Sequence, residues 1–263
     1  ETRASTRSWS PTSHARAPPA RRPTRGWRGV ARCEDAPLLG LPLTLKESIN
    51  VKGLRTTVGM PHWADFRSEH DAPVTARVRA AGATIMAKTN VPPMLADWQA
   101  ANPVHGRTNN PWDLRRSPGG STGGGAAALA AGLTPLEYGS DIGGAIRVPA
   151  VFCGVYGHRP SETALPRSGQ FPMPPLPNAA VVMGVQGPLA RSADDLALAL
   201  DVAAGPDAGE DVAGGWYSRP RAASVSPTSA LGCCRRSSGR PWTPRFSPLR
   251  MRWPRGSAGS AVR

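Results

Sequence analysis

The chain has 263 residues, with 32 Lys and Arg against 18 Asp and Glu, for a formal net charge of +14. That length allows one large domain or two small ones around a real hydrophobic core. A surplus of this size would ordinarily point to an anionic partner, but it lies in the flanks: residues 1–33 hold eight Arg and one acid, residues 212–263 hold ten Arg and no acid, and the stretch between carries a balance of −3.

Both flanks are rich in Arg, Pro, Ser and Trp and lack Lys and sustained hydrophobic periodicity. Three readings stand for them: disordered tails, out-of-frame translation of a GC-rich gene, or a nucleic-acid arm. The last requires that binding be lost when residues 1–33 and 212–263 are removed. The N-terminal flank is Arg-rich and acid-poor like an organelle transit peptide, yet its prolines argue against an amphipathic helix. Cytoplasm is the default. No stretch approaches an eighteen-residue apolar run, so no membrane span is expected. Cys33, Cys153, Cys233 and Cys234 offer neither metal spacing nor a disulfide framework, and Cys153, in an apolar run, reads as a buried thiol.

From Ala36 onward the pattern becomes that of a folded unit. Pro42–Leu45 is a short apolar run closed by Lys46 and Glu47, a strand with a charged C-terminal edge. Val51–Gly59 reads as a loop or hairpin. Pro73–Ala81 reads as a helix carrying Val74 and Val78, stopped by Gly82, and Ala83–Ala87 as a strand, the βαβ cadence of a parallel sheet. Thr89–Pro118, rich in Asn and Pro, is a long connection without a period, and such connections usually serve a site.

Thr122–Ala131 is a helix so small-sided that it must pack closely on a neighbour, and Thr134–Tyr138 is a strand leading to a second glycine cluster. Val148–Val155 is apolar again. Ser161–Pro177, with its prolines, could border a pocket. Ala179–Val185 reads as a central strand, and Ser192 with Asp195 as a helix start, with Leu196, Leu200 and Ala203 on the apolar face and Gly205 as the stop. The predicted folded unit is 34–211, an α/β domain.

Ser117–Pro160, SPGGSTGGGAAALAAGLTPLEYGSDIGGAIRVPAVFCGVYGHRP, concentrates the chemistry. Its glycine clusters, Gly119–Gly125 and Gly139–Gly144, let a backbone turn sharply and bring N–H groups close to a ligand. Lys46 is either a snorkelling edge residue or a desolvated base. Ser121 is either a helix cap or a hydroxyl held by a tight turn. Asp141 could bind an amide or cation or brace its loop, with Arg147 as its ion-pair partner. The histidines show no metal spacing, and neither metal nor cofactor is expected.

This run resembles the amidase signature family, whose members hydrolyse amides with a Ser–cis-Ser–Lys triad; the resemblance covers about 36–211. LGLPLTLKESINVKGLRTTVG is similar to the segment that carries the family's lysine, which implies Lys46 in that role. NPVHGRTNNPWDLRRSPGGSTGG is similar to the lead-in to the serine preceded by a cis peptide, which implies Ser121, with Thr122 as its polar neighbour. The nucleophile is the serine of a GG-S-I-R context. Here Gly143, Gly144, Ala145, Ile146 and Arg147 occupy it, so the attacking position holds alanine.

The resemblance further implies an oxyanion hole from the N–H groups of Ile142, Gly143, Gly144 and Ala145, with Ser140, Asp141 and Arg147 bracing the loop. The implied fold is a mixed, largely parallel sheet flanked by helices, truncated because family members are much longer. The implied partner is a small-molecule amide, with a homodimer allowed for and no nucleic acid or membrane expected. Without a hydroxyl at position 145 the copy is expected to be weak or inactive. A non-catalytic amide-binding or scaffold protein is the reading from another class.

Overall fold

The computed structural model describes residues 36–173 and 183–207. The strand β1 (Pro42–Lys46) lies at its centre. Leu43 and Leu45 enter one hydrophobic cluster while Thr44 and Lys46 point to the opposite face, and all four are buried. A strand buried on both faces needs a layer on each. Helices supply both.

On the first face, α1 (Pro73–Ala80) opens with a proline, where the missing N–H has no helical partner to lose. It buries Val74 and Val78 and leads into β2 (Thr84–Thr89), parallel to β1 with Lys46 opposite Thr89. The same face receives α4 (Ala193–Ala203) through Ala199 and Ala203. Ser192 caps that helix, its hydroxyl accepting the Asp195 N–H at 3.1 Å. On the second face lie α2 (Gly123–Ala130) and α3 (Arg147–Cys153), joined around Ala126, Leu129, Ile146, Ala150 and the buried thiol of Cys153.

Between Thr89 and Pro118 the regular structure is a 3-10 turn at Pro93–Leu95 and a minimal hairpin, β3 (Ala101–Asn102) with β4 (Gly106–Arg107). Asparagine side chains take the place of a ladder. Asn90 donates to the carbonyls of Ala100 and Gly106, Asn102 to that of Val91, and Asn110 to those of Ser117 and Phe152. Such bonds satisfy backbone groups without any repeat, which is why no periodicity marks the segment.

The sheet is completed by β5 (Leu136–Asp141), β7 (Val185–Ala190) and β6 (Tyr156–Gly157), in the order β2-β1-β5-β7-β6. β2, β1 and β5 are parallel, and β7 is antiparallel to both its neighbours, so four of the five strands point one way. This is a mixed, largely parallel α/β sheet flanked by helices. Among the described residues no helix is long and apolar enough to cross a membrane.

Two strand boundaries depart from expectation. β5 starts at Leu136 and continues through Gly139, Ser140 and Asp141, residues whose apolar pattern is nil but whose backbone pairs with Gly187, Gln186 and Val185. The strand expected over 179–185 instead runs Val185–Ala190; residues 179–182 lie outside the described ones. Gln186 and Pro188 hid it. Gln186 is buried because its amide donates to the carbonyls of Pro166 (2.9 Å) and Ser168 (3.3 Å). Pro188 is tolerated because β6 is two residues long and pairs with Ala190 and Leu189 only.

Candidate active site

β1 ends by presenting Lys46 to the face covered by α2. Its Nζ donates to Ser121 Oγ at 2.7 Å, to Ser140 Oγ at 2.9 Å and to the Ser140 carbonyl at 3.1 Å. The lysine is fully buried, so the snorkelling alternative is excluded. Burial draws it down from the ordinary lysine range to about 7, against the opposing charges of Asp141 and Glu137. A side chain that is half neutral near physiological pH, in contact with a hydroxyl, can exchange a proton with it.

Ser121 follows a cis peptide bond from Gly120 and is buried. It is not the helix cap; Thr122 occupies that position. The Thr122 hydroxyl donates to the Ser140 carbonyl at 3.2 Å, and its N–H to the Ala145 carbonyl at 3.1 Å. The two glycine clusters therefore meet back to back. Gly139 makes the approach possible, since a Cβ there would lie 2.4 Å from the Thr122 methyl.

Asp141 holds the second glycine loop. Its carboxylate accepts the N–H groups of Gly144 (2.7 Å) and Ile146 (3.0 Å) and a two-pronged contact from Arg147, at 2.9 and 3.0 Å. Burial alone would raise this acid, but the Arg147 guanidinium and the backbone N–H groups together hold it at about 2. The Gly144 N–H, named for the oxyanion hole, is already bound to Asp141. Among the described residues the N–H groups of Ile142, Gly143 and Ala145 make no such bond. Ala145 is buried beside Thr122 and carries only its methyl group.

Three residues near this geometry were not assigned a role from the sequence, though Glu47 and Glu137 lie within its motif segments. Trp98 Nε1 donates to the Gly143 carbonyl at 3.1 Å and steadies the loop from outside. Glu47 accepts the N–H groups of Thr57 and Val58, turning the chain away after Lys46. Glu137 is buried on β5 behind the lysine, its only sequence signal being an acid between Leu136 and Tyr138 in a strand. Phe171 donates its N–H to the Ser48 carbonyl, so the later part of the described Ser161–Met173 stretch lies on the loop after Lys46; residues 174–177 are outside the described ones.

A cavity of about 430 Å³ opens not at Ser121 but across β2, lined by Glu47, Arg55, Met86, Lys88 and His105 among others. Glu47 and Thr89 link its wall to the lysine strand. No group of three or more His, Cys, Asp or Glu among the described residues could hold a metal ion.

The family model for amidases matches residues 18–220, most of the chain. The chain belongs to the amidase family. It is 42% identical over 174 residues to a glutamyl-tRNA(Gln) amidotransferase subunit of Deinococcus radiodurans, covering 66% of this chain and 35% of that protein. It is 41% identical over 170 residues to human fatty-acid amide hydrolase 2, covering 65% and 32% respectively. The structure of the native peptide amidase from Stenotrophomonas maltophilia superposes with a TM-score of 0.62 at 32% identity, over 71% of this chain and 38% of that one. This amidase chain thus spans about a third of the length of the relatives it matches.

Proposed function

We propose that residues 34–211 carry an amide-binding amidase site whose proton relay is present and whose attacking oxygen is absent. The observation that carries this reading is the 2.7 Å contact between the buried Lys46 amine and Ser121, beside the loop that ends in Ala145. In the reaction this arrangement suits, neutral Lys46 takes the Ser121 proton while Ser121 takes that of a hydroxyl at position 145. The freed oxygen adds to the amide carbonyl, the C–N bond breaks, and the relayed proton leaves on the amine; water, deprotonated by the same relay, then releases the acid.

The N–H groups of Ile142, Gly143 and Ala145 are the donors left to face the oxyanion, because Asp141 keeps that of Gly144. Thr122, Ser140, Asp141 and Arg147 hold the two loops together. With a methyl at position 145 no acyl–enzyme bond can form, so the chain binds a small carboxamide and turns it over barely or not at all.

The test is hydrolysis of simple aliphatic and aryl amides by the chain and by its Ala145→Ser variant. Turnover gained by the variant alone supports the reading. Equal turnover by both, or none by a folded variant that still binds amides, overturns it.

A further inference from the structure

The cavity of about 430 Å³ across β2 is a second opening in the molecule: Lys46, Ser121 and Ala145 do not line it. β2 is the edge strand of the sheet among the described residues, so one side of the cavity has no neighbouring strand. Two cations stand in its wall. The Lys88 Nζ donates to the Arg55 carbonyl at 2.6 Å and to the Thr56 hydroxyl at 2.7 Å. An ammonium has three N–H donors. Among the described residues the third has no acceptor, and the charge has no ion-pair partner. The Arg55 side chain is exposed and, among the described residues, makes neither a hydrogen bond nor an ion pair.

The acid of the wall, Glu47, is already engaged. Its two oxygens accept the N–H groups of Thr57 and Val58, and His105 Nε2 stands 3.8 Å from the first of them. Arg55 and Lys88 against Glu47 leave the wall one positive charge in excess, His105 being counted neutral. A cation drawn into a protein wall without a counter-charge favours an anion beside it. Burial brings Lys88 down to about 8, against the pull of Glu47, so it stays mostly charged at neutral pH. Beside the cations lie Leu54 and Met86, 39% and 50% exposed, an apolar surface that an inorganic ion would leave uncovered. The volume is that of a small-molecule pocket and many times the share of one water molecule.

We propose that this cavity binds a small organic monocarboxylate, its carboxylate on Lys88 and Arg55 and its apolar body on Leu54 and Met86. Arg55 offers a forked guanidinium and Lys88 its remaining N–H, donors that suit the two oxygens of one carboxylate. Nothing in this site depends on amide chemistry at Ser121.

The experiment is an NMR titration of the unaltered chain, labelled with nitrogen-15, with sodium benzoate, followed at the amide signals of Arg55, Lys88 and His105. Benzamide, the uncharged counterpart, and inorganic phosphate, a charge without the apolar body, are the comparison probes. Benzoate is expected to move those signals to saturation in the millimolar range, with benzamide and phosphate each weaker by about tenfold or more. Arg55→Ala, a change at an exposed side chain, is expected to weaken benzoate by about tenfold, and Lys88→Met to abolish the saturable shift. No saturable shift with benzoate overturns the proposal. So does benzamide binding as tightly, which removes the charge from the account, or phosphate binding as tightly, which removes the apolar body. Benzoate affinity unchanged in Arg55→Ala assigns the effect to the Arg-rich flanks and overturns the site as well. If Lys88→Met does not fold, Arg55→Ala and the three probes decide.

Discussion

Position 145 carries a methyl group where the proposed amidase reading calls for a hydroxyl. Lys46 is joined to Ser121 and Ser140 by hydrogen bonds of 2.7 and 2.9 Å, and Ala145 has no hydroxyl to join them. In the Ala145→Ser background, Lys46→Met is expected to reduce amide turnover by about a thousandfold or more. Met retains the volume but not the amine, so circular dichroism of the variant is needed beside the assay, because the buried oxygens of Ser121 and Ser140 lose their donor. Asp141 gives a pH signature of its own. Its folded value, about 2, lies below the ordinary carboxyl range, so its contribution to stability is full above about pH 4 and fades as pH falls toward 2. Acid unfolding of Arg147→Ala should therefore begin at higher pH than that of the unaltered chain, as read by circular dichroism.

The glycines of the two clusters serve different ends, and α2 makes the contrast measurable. Gly125 lets the helix lie on the sheet over Glu137, where a Cβ meets side-chain atoms at 2.5 Å, while at Gly143 a Cβ meets nothing within 4 Å. Denaturant unfolding of Gly125→Ala should show a loss of about 1–3 kcal/mol from overpacking. Gly143→Ala should remain within about 0.5 kcal/mol of the unaltered chain. α4 depends on its cap: Ser192→Ala removes the acceptor of the Asp195 N–H and should cost about 1 kcal/mol.

For the whole molecule, two separately buried ionisable groups, Lys46 and Glu137, set a stability profile that net charge does not foretell. Glu137, raised from the carboxylate range to about 7, contributes stability that is full in acid and lost as pH rises through 7. Lys46, lowered to about 7, contributes stability that is full in alkali and lost as pH falls through 7. The two contributions together give a minimum near neutrality. Chemical denaturation across that range should reveal the dip in the unaltered chain and its loss in the double variant Lys46→Met, Glu137→Gln; a profile unchanged by the double variant would remove the pair from the account.

The sequence by itself determined much of this. The apolar run of β1, the proline start of α1, the Ser192 cap and the small-sided α2 are local patterns, and they survive folding because each is satisfied within a turn or a strand. Lys46, Ser121 and Ala145 were singled out as residues of a motif, and the structure brings Lys46 and Ser121 into contact. Only the tertiary structure decided the rest. β7 is a strand because Gln186 and Pro188 meet partners from distant segments. The Asn-rich connection is ordered by side-chain amides that carry no period. The Gly144 N–H is engaged within the loop because Asp141 folds back on it. Glu137 became a buried acid only when β5 paired with β1 and α2 closed over both, for an ionisable group takes its character from the charges and solvent that the fold brings to it or takes away.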